Sequence, residues 1–273
     1  DEKENEVATN ARWCKDSKHI YIIRVETRKL QDMWVINSLA KRPTLKTYRY
    51  EMPGEKNLTQ FELWIGDIEK KKLEKVNIEK WPDQYIMPLT DTKKGDIFFE
   101  RTKRTWDEVD ICSVNTSTLK VKEIIHEEDK PYRDPHARSV AILNDGKDIL
   151  FRSERTGWGH YYHYDGDGNL KNTITSGQWV SGQIAEIDTL ARTIYLYGYG
   201  KEKGLNPYYY MLYKANIDKE GVTPLSTEDG QHNVRFLKSK KYYIDTYSRV
   251  DKEPTLVLKD NNGKVILELA KPD

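Results

Sequence analysis

Five times along this chain a short polar turn leads into a β-rich run: "CKDSKHIYIIRVE" from Cys14, "TDTKKGDIFFERT" from Thr90, "LNDGKDILFRSER" from Leu143, "IDTLARTIYLYGY" from Ile187 and "LKSKKYYIDTYS" from Leu237. With Ile20, Ile97, Ile149, Ile194 and Tyr242 taken as equivalent, the intervals are 77, 52, 45 and 48 residues. The last three match the roughly 40 to 50 residues of one propeller blade. Each copy continues with a second and a third β-rich run, as in "GHYYHYDG" and "NLKNTITSG" after "DILFRSER". Runs such as "SVAIL", "GQIAEI" and "NVRFL" precede the later copies and supply a fourth. Four short antiparallel strands make a blade, so the expected fold is all-β, a β-propeller of about five four-stranded antiparallel blades.

The blade-like units fall roughly at 11–80, 84–128, 138–177, 182–227 and 231–270, within one propeller region over 1–273. The first is longer because residues 26–82 hold extra spacers; "MWVINS", "TLKTYRYEMPGE" and "QFELWIGDIEKKKLEKVNI" read as its remaining strands joined by long loops. The junctions "DGDGN" and "DNNGK" are hairpin turns, since Gly, Asn and Asp tolerate the positive φ that such turns demand. Helical periodicity is nearly absent, and "GDIEKKKLEKVNIEKW" reads as a charged hairpin whose alternating glutamates argue against a basic docking strip.

Bulk properties exclude several partners. Lys plus Arg number 45 against 44 Asp plus Glu, a net charge of +1, so no global field draws the chain to nucleic acid or an anionic membrane. Mean hydropathy is low at -0.83, yet 7 Trp and 18 Tyr provide the large apolar surfaces that a disordered chain lacks. No run of about 18 apolar residues exists, so no membrane span is expected. Cys14 and Cys112 stand far apart and outside any C-x-x-C pattern, so neither a disulfide framework nor a zinc site is indicated.

Three stretches carry a family resemblance: "DMWVINSLAKRPTLKTYRYEMPGE", "SERTGWGHYYHYDGDGNLKNTITSGQW" and "KKYYIDTYS". Together they resemble the N-terminal β-propeller region of the dipeptidyl peptidase IV family of prolyl-oligopeptidase-type serine peptidases, most of all its bacterial, exported members. The resemblance runs from about Trp13 to Leu269. It implies an eight-bladed propeller of which this chain is the later part, covering a C-terminal hydrolase domain that carries Ser, Asp and His and filtering its peptide substrate. It also implies a periplasmic, cell-envelope or extracellular location. A nucleophile elbow needs G-x-S-x-G between a strand and a helix. None occurs here; the nearest triplets, "SGQ" at Ser176 and Ser181, lie in β-rich repeats. The chain alone is therefore expected to be inactive, with no catalytic residue of its own. The alternative is a stand-alone propeller that binds a protein or carbohydrate partner.

Site candidates follow from both sources. The resemblance implies an aromatic-Arg pair in the loop before the "SER-x-GW" strand, and "PYRDP" places Tyr132 and Arg133 there as substrate-binding candidates. It further implies two acidic residues that hold a substrate amino group early in the propeller; Glu4 and Glu6 are in range, but their surroundings do not match and the role is not carried over. In "SERTGW", Glu154 and Arg155 are expected to pair and Trp158 to fill the space between sheets, all three structural. Asp165, Asp167 and Asn169 mimic the start of an EF-hand loop, but Leu170 and Ser176 stand where its Gly and Glu belong. His160 and His163 are three apart and fall on opposite strand faces, and His126 lacks H-E-x-x-H spacing. No metal or other cofactor is expected. An open arc of blades would expose apolar faces, so the chain is expected to self-associate or else to close into a smaller ring.

Overall fold

The computed structural model describes residues 10–270. Among these described residues the secondary structure besides strands is two single 3-10 turns, and every strand pair is antiparallel. The chain is all-β, built from five four-stranded sheets of propeller-blade type and one separate two-stranded ribbon. The described residues divide into two compact units that meet between Arg133 and Asp134 in the chain.

In the first unit the strands are β1 (Arg12–Trp13), β2 (His19–Glu26), β3 (Asp32–Asn37), β4 (Thr44–Arg49), β5 (Gln60–Asp67) and β6 (Lys72–Lys75), then β7 (Gln84–Asp91), β8 (Asp96–Lys103), β9 (Glu108–Asn115) and β10 (Val121–Glu128). One sheet runs β1-β2-β5-β6 and the other β7-β8-β9-β10. The expected membership of the first sheet needs correction. "MWVINS" and "TLKTYR" pair with each other as β3 and β4 and stand apart as a ribbon, while β2 pairs directly with β5 from His19↔Asp67 to Glu26↔Gln60. "QFELWIGD" and "KLEK" do complete the blade, and the charged stretch is the hairpin expected. The ribbon leaves Trp34, Ile36 and Leu45 exposed, so no face of it is covered in the way a blade strand is. The two sheets bury a shared cluster in which Tyr21, Leu63 and Ile65 meet Ile86, Ile97, Phe99, Cys112 and Val114. Both cysteines are free and buried, and burial pushes each thiol up to about 12, which keeps them protonated and inert.

In the second unit the strands are β11 (Val140–Leu143), β12 (Asp148–Ser153), β13 (His160–Asp165), β14 (Leu170–Thr173), β15 (Val180–Asp188), β16 (Thr193–Tyr199), β17 (Met211–Asn216), β18 (Val222–Pro224), β19 (Gln231–Phe236), β20 (Tyr242–Arg249), β21 (Lys252–Asp260) and β22 (Val265–Ala270). They form three sheets, each in chain order. The run "TIYLYGY" lacks polar alternation because the middle sheet is covered on both sides. Ile194 and Leu196 pack with Leu150 and Tyr161 of one neighbour, while Tyr195 packs with Phe236 and Tyr243 of the other. Tyr195 and Phe236 lie 4.4 Å apart between ring centres.

The stretch Asp165–Asn169 is a turn. Asp165 Oδ1 accepts the backbone N–H groups of Asp167 and Asn169, each at 2.9 Å, and Oδ2 accepts the Asn169 side chain at 2.9 Å. Both carboxylate oxygens thus serve the chain reversal itself.

The two strand histidines are separated as their spacing requires. His163 bonds Asp148 at 2.6 Å, whereas His160 faces Thr175 at 3.1 Å and the Gly177 carbonyl at 2.9 Å. Burial lowers the His160 pKa below its ordinary 6.5, against the pull of the Gly177 carbonyl. Since the folded value is the lower one, His160 contributes stability that is present above the unfolded pKa and lost as pH falls through the folded one. Urea midpoints taken at about pH 7.5 and about pH 5 should fall for the wild type, and fall less for His160→Gln. Equal pH dependence in the two proteins would remove His160 as the cause.

Candidate functional site

The second unit carries a cleft of about 570 Å³ between the 3-10 turn Pro135–Ala137, the ends of β12 and β15, and the loop 200–210. Its floor is organised by Arg152, which is 2% exposed. Arg152 Nε donates to the Ser181 carbonyl at 2.7 Å, and Nη1 donates to the Ala137 carbonyl and to Glu154 Oε1, both at 2.9 Å. Gly159 makes this possible: a Cβ there would lie 1.8 Å from Arg152 Nη2. One buried guanidinium therefore ties three segments of the cleft wall together.

Glu154 pairs with Arg152, two positions back on the same face of an extended chain, and not with Arg155 as expected. Arg155 instead lies over the Tyr162 ring at 4.2 Å and donates to Ser153 Oγ at 2.8 Å and Tyr164 Oη at 2.7 Å, all contacts within one sheet. Trp158 also requires correction. It is 40% exposed at the turn tip, and the indole that packs between sheets is Trp179, 3% exposed, against His160 and Tyr213. The loop pair Tyr132 and Arg133 is split: the Tyr132 ring is 61% exposed, while Arg133 is buried at 3% and its backbone N–H donates to the Trp106 carbonyl at 2.7 Å. Glu4 and Glu6 lie outside the described residues.

The aromatic wall of the cleft comes from "GYGKEKGLNPYYY"; the repeat pattern reads "YYYMLYKANI" as one β-rich run, but the strand begins only at Met211 and Tyr208–Tyr210 belong to the loop before it. Tyr199 stands edge-on to Tyr210 at 4.6 Å, and Tyr208 projects at 83% exposure. Burial, with the adjacent Tyr210, pushes the Tyr199 phenol up to about 12, so it remains a neutral donor. Gly182 presents bare backbone opposite, since a Cβ would meet the Tyr199 ring at 2.6 Å. Asp134, His136 and Gln183 complete the polar lining. Three Tyr in a row within a Gly-containing loop was the signal available in the sequence for this wall.

Three groups of acidic and histidine side chains cluster elsewhere among the described residues. Each is neutralised by cations of the chain. Asp110 and Glu123, with His126, surround Lys80 and Arg101; Glu228 and Asp245, with His232, hold Lys259; Glu108 and Glu128 pair with Lys103 and Lys130. These are ion-pair networks of the blades.

Residues 3–254 match the family model described as "Dipeptidyl peptidase IV (DPP IV) N-terminal region". The chain belongs to that family. Among solved structures, dipeptidyl peptidase 4 from Porphyromonas gingivalis superposes with a TM-score of 0.81 at 22% identity, over 98% of this chain and 38% of that one. A putative dipeptidyl aminopeptidase IV from Bacteroides ovatus gives 0.77 at 17% identity, over 95% and 39%. These likenesses establish the fold of this dipeptidyl peptidase IV N-terminal region. Among curated proteins, the probable dipeptidyl peptidase 4 of Trichophyton verrucosum is 25% identical over 156 residues, 55% of this chain and 20% of the relative. Dipeptidyl peptidase 4 of Arthroderma otae is 29% identical over 97 residues, 35% and 12%. The region thus spans about a fifth or less of these curated relatives. No helix among the described residues is long and apolar enough to cross a membrane.

Proposed function

We propose that this chain is the non-catalytic propeller portion of a dipeptidyl-peptidase-IV-like serine peptidase, which admits and orients short peptides for a hydrolase domain carrying the Ser, Asp and His machinery. The observation that carries the reading is the family match over residues 3–254, on an all-β chain without G-x-S-x-G. The cleft supports it. A peptide needs backbone partners, a charged anchor and apolar walls, and this concavity offers bare backbone at Gly182, carboxylates at Asp134 and Glu154, and the faces of Tyr199 and Tyr208. Its exposed ring also keeps Tyr132 a substrate-contact candidate. A periplasmic or cell-envelope location accompanies this reading and is supported by the bacterial origin of the superposing structures.

The test is hydrolysis of a chromogenic prolyl-dipeptide substrate by the full-length gene product and by this chain alone. Turnover by the former only is the expected result. Turnover by this chain would place the chemistry within it and overturn the proposal; turnover by neither would favour a binding propeller without peptidase activity.

A further inference from the structure

We propose that the Arg152 cleft is a subsite for a basic side chain, lysine or arginine, of the bound peptide. This deepens the peptide-handling reading above by naming what the cleft selects.

Charge decides the sign of the guest. The lining carries two carboxylates, Asp134 and Glu154, one guanidinium, Arg152, and the His136 imidazole; Arg152 and Glu154 offset each other at 2.9 Å, so Asp134 sets the sign of the remaining charge. The guanidinium is buried and turned toward the Ser181 and Ala137 carbonyls and Glu154, so it is committed to the wall. Glu154 keeps 30% of its side chain exposed, and Asp134 is exposed beside the cleft, where it caps the 3-10 turn by accepting the His136 N–H at 2.9 Å. A guest entering here meets carboxylates; an anionic guest would be repelled and would find the guanidinium already engaged.

Shape decides that the cation sits on a long stem. The walls are tyrosine faces, and about 570 Å³ exceeds what an ammonium group alone would fill. Methylene groups gain by leaving water against Tyr199 and Tyr208, and a cation over a tyrosine face gains further. Tyr208 is a large aromatic left 83% exposed at the rim, and Tyr199 is held in place by Tyr210 and by the missing side chain at Gly182. Such a fixed ring next to carboxylates suits a guanidinium or an ammonium on an aliphatic stem.

The test uses two N-acetylated, C-amidated tripeptides, glycyl-lysyl-glycine and glycyl-norleucyl-glycine, titrated calorimetrically into the full-length gene product. The lysine peptide should bind about ten-fold more tightly, a difference that one such charge and ring contact supplies. Asp134→Asn and Tyr208→Ala alter exposed side chains, so both proteins should fold; each should weaken the lysine peptide several-fold, and Asp134→Asn should leave the norleucine peptide unchanged. Equal binding of the two peptides, or a lysine preference indifferent to both substitutions, would overturn the subsite. Blocked peptides are not dipeptidyl substrates, so loss of this preference with intact prolyl-dipeptide turnover removes the subsite alone. Lysine preference without turnover removes the peptidase reading alone.

Discussion

Asp245→Ala should cost about 3–5 kcal/mol of stability, the usual consequence of removing one partner from a buried ion pair. Asp245 is fully buried and accepts from His232 Nδ1 at 2.9 Å and from Lys259 Nζ at 3.0 Å. Lys259 is itself 1% exposed, and its other partner is Glu228 at 2.8 Å. Removing Asp245 leaves an ammonium and an imidazole facing a single carboxylate in a space that water does not reach. Guanidinium-induced unfolding followed by tyrosine and tryptophan fluorescence would read the loss. The charge argument predicts more than magnitude: Lys259→Met in the Asp245→Ala background should recover part of the stability, because the fully buried ammonium that has lost one of its two carboxylates leaves, while Glu228, with 23% of its side chain exposed, can be hydrated. A double variant no better than the single one would show that shape, not charge, is what Asp245 supplies.

Tyr161→Ala should cost a similar amount, about 3–5 kcal/mol, as large-to-small changes of buried aromatic residues do. The ring has no exposure and lies in the cluster with Leu150, Trp179 and Leu196. Its hydroxyl donates to the Gly182 carbonyl at 2.9 Å, and burial raises the phenol to about 12, so the proton stays on the donor. Tyr161→Phe keeps the packing and removes only that bond, for about 1 kcal/mol. Because Gly182 lines the cleft, Tyr161→Phe should also loosen the Tyr199 wall and weaken peptide binding beyond its small effect on stability. Stability loss in Tyr161→Phe as large as in Tyr161→Ala would make the hydrogen bond, not the ring, the main contribution.

Much of the architecture was legible because its signals are local. A strand announces itself by β-branched and aromatic runs, and a hairpin by Gly, Asn and Asp, as at Asp165–Asn169. The "SERTGW" pairing was also locally decidable. Residues two apart share a strand face, so Arg152 was the geometric partner for Glu154, and the adjacent Arg155 was not. What failed were questions of partnership at a distance. "MWVINS" and "TLKTYR" have sound strand composition, yet nothing within them states that β2 skips them to join β5. Trp158 and Trp179 each follow Gly-containing turns, and only one has a facing sheet. Gly198 leaves that facing space open, since a Cβ there would come within 2.7 Å of the Trp179 ring.

By itself, then, the order of residues determined the all-β class, the repeated blade unit and the turns between strands, since backbone sterics and side-chain alternation act over a few positions. Tertiary structure alone decided which strands joined which sheet, which tryptophan was buried and where the cleft opened. Those outcomes depend on contacts between residues tens of positions apart, such as Arg152 with Ser181 and Tyr161 with Gly182, whose energies appear only when the segments meet.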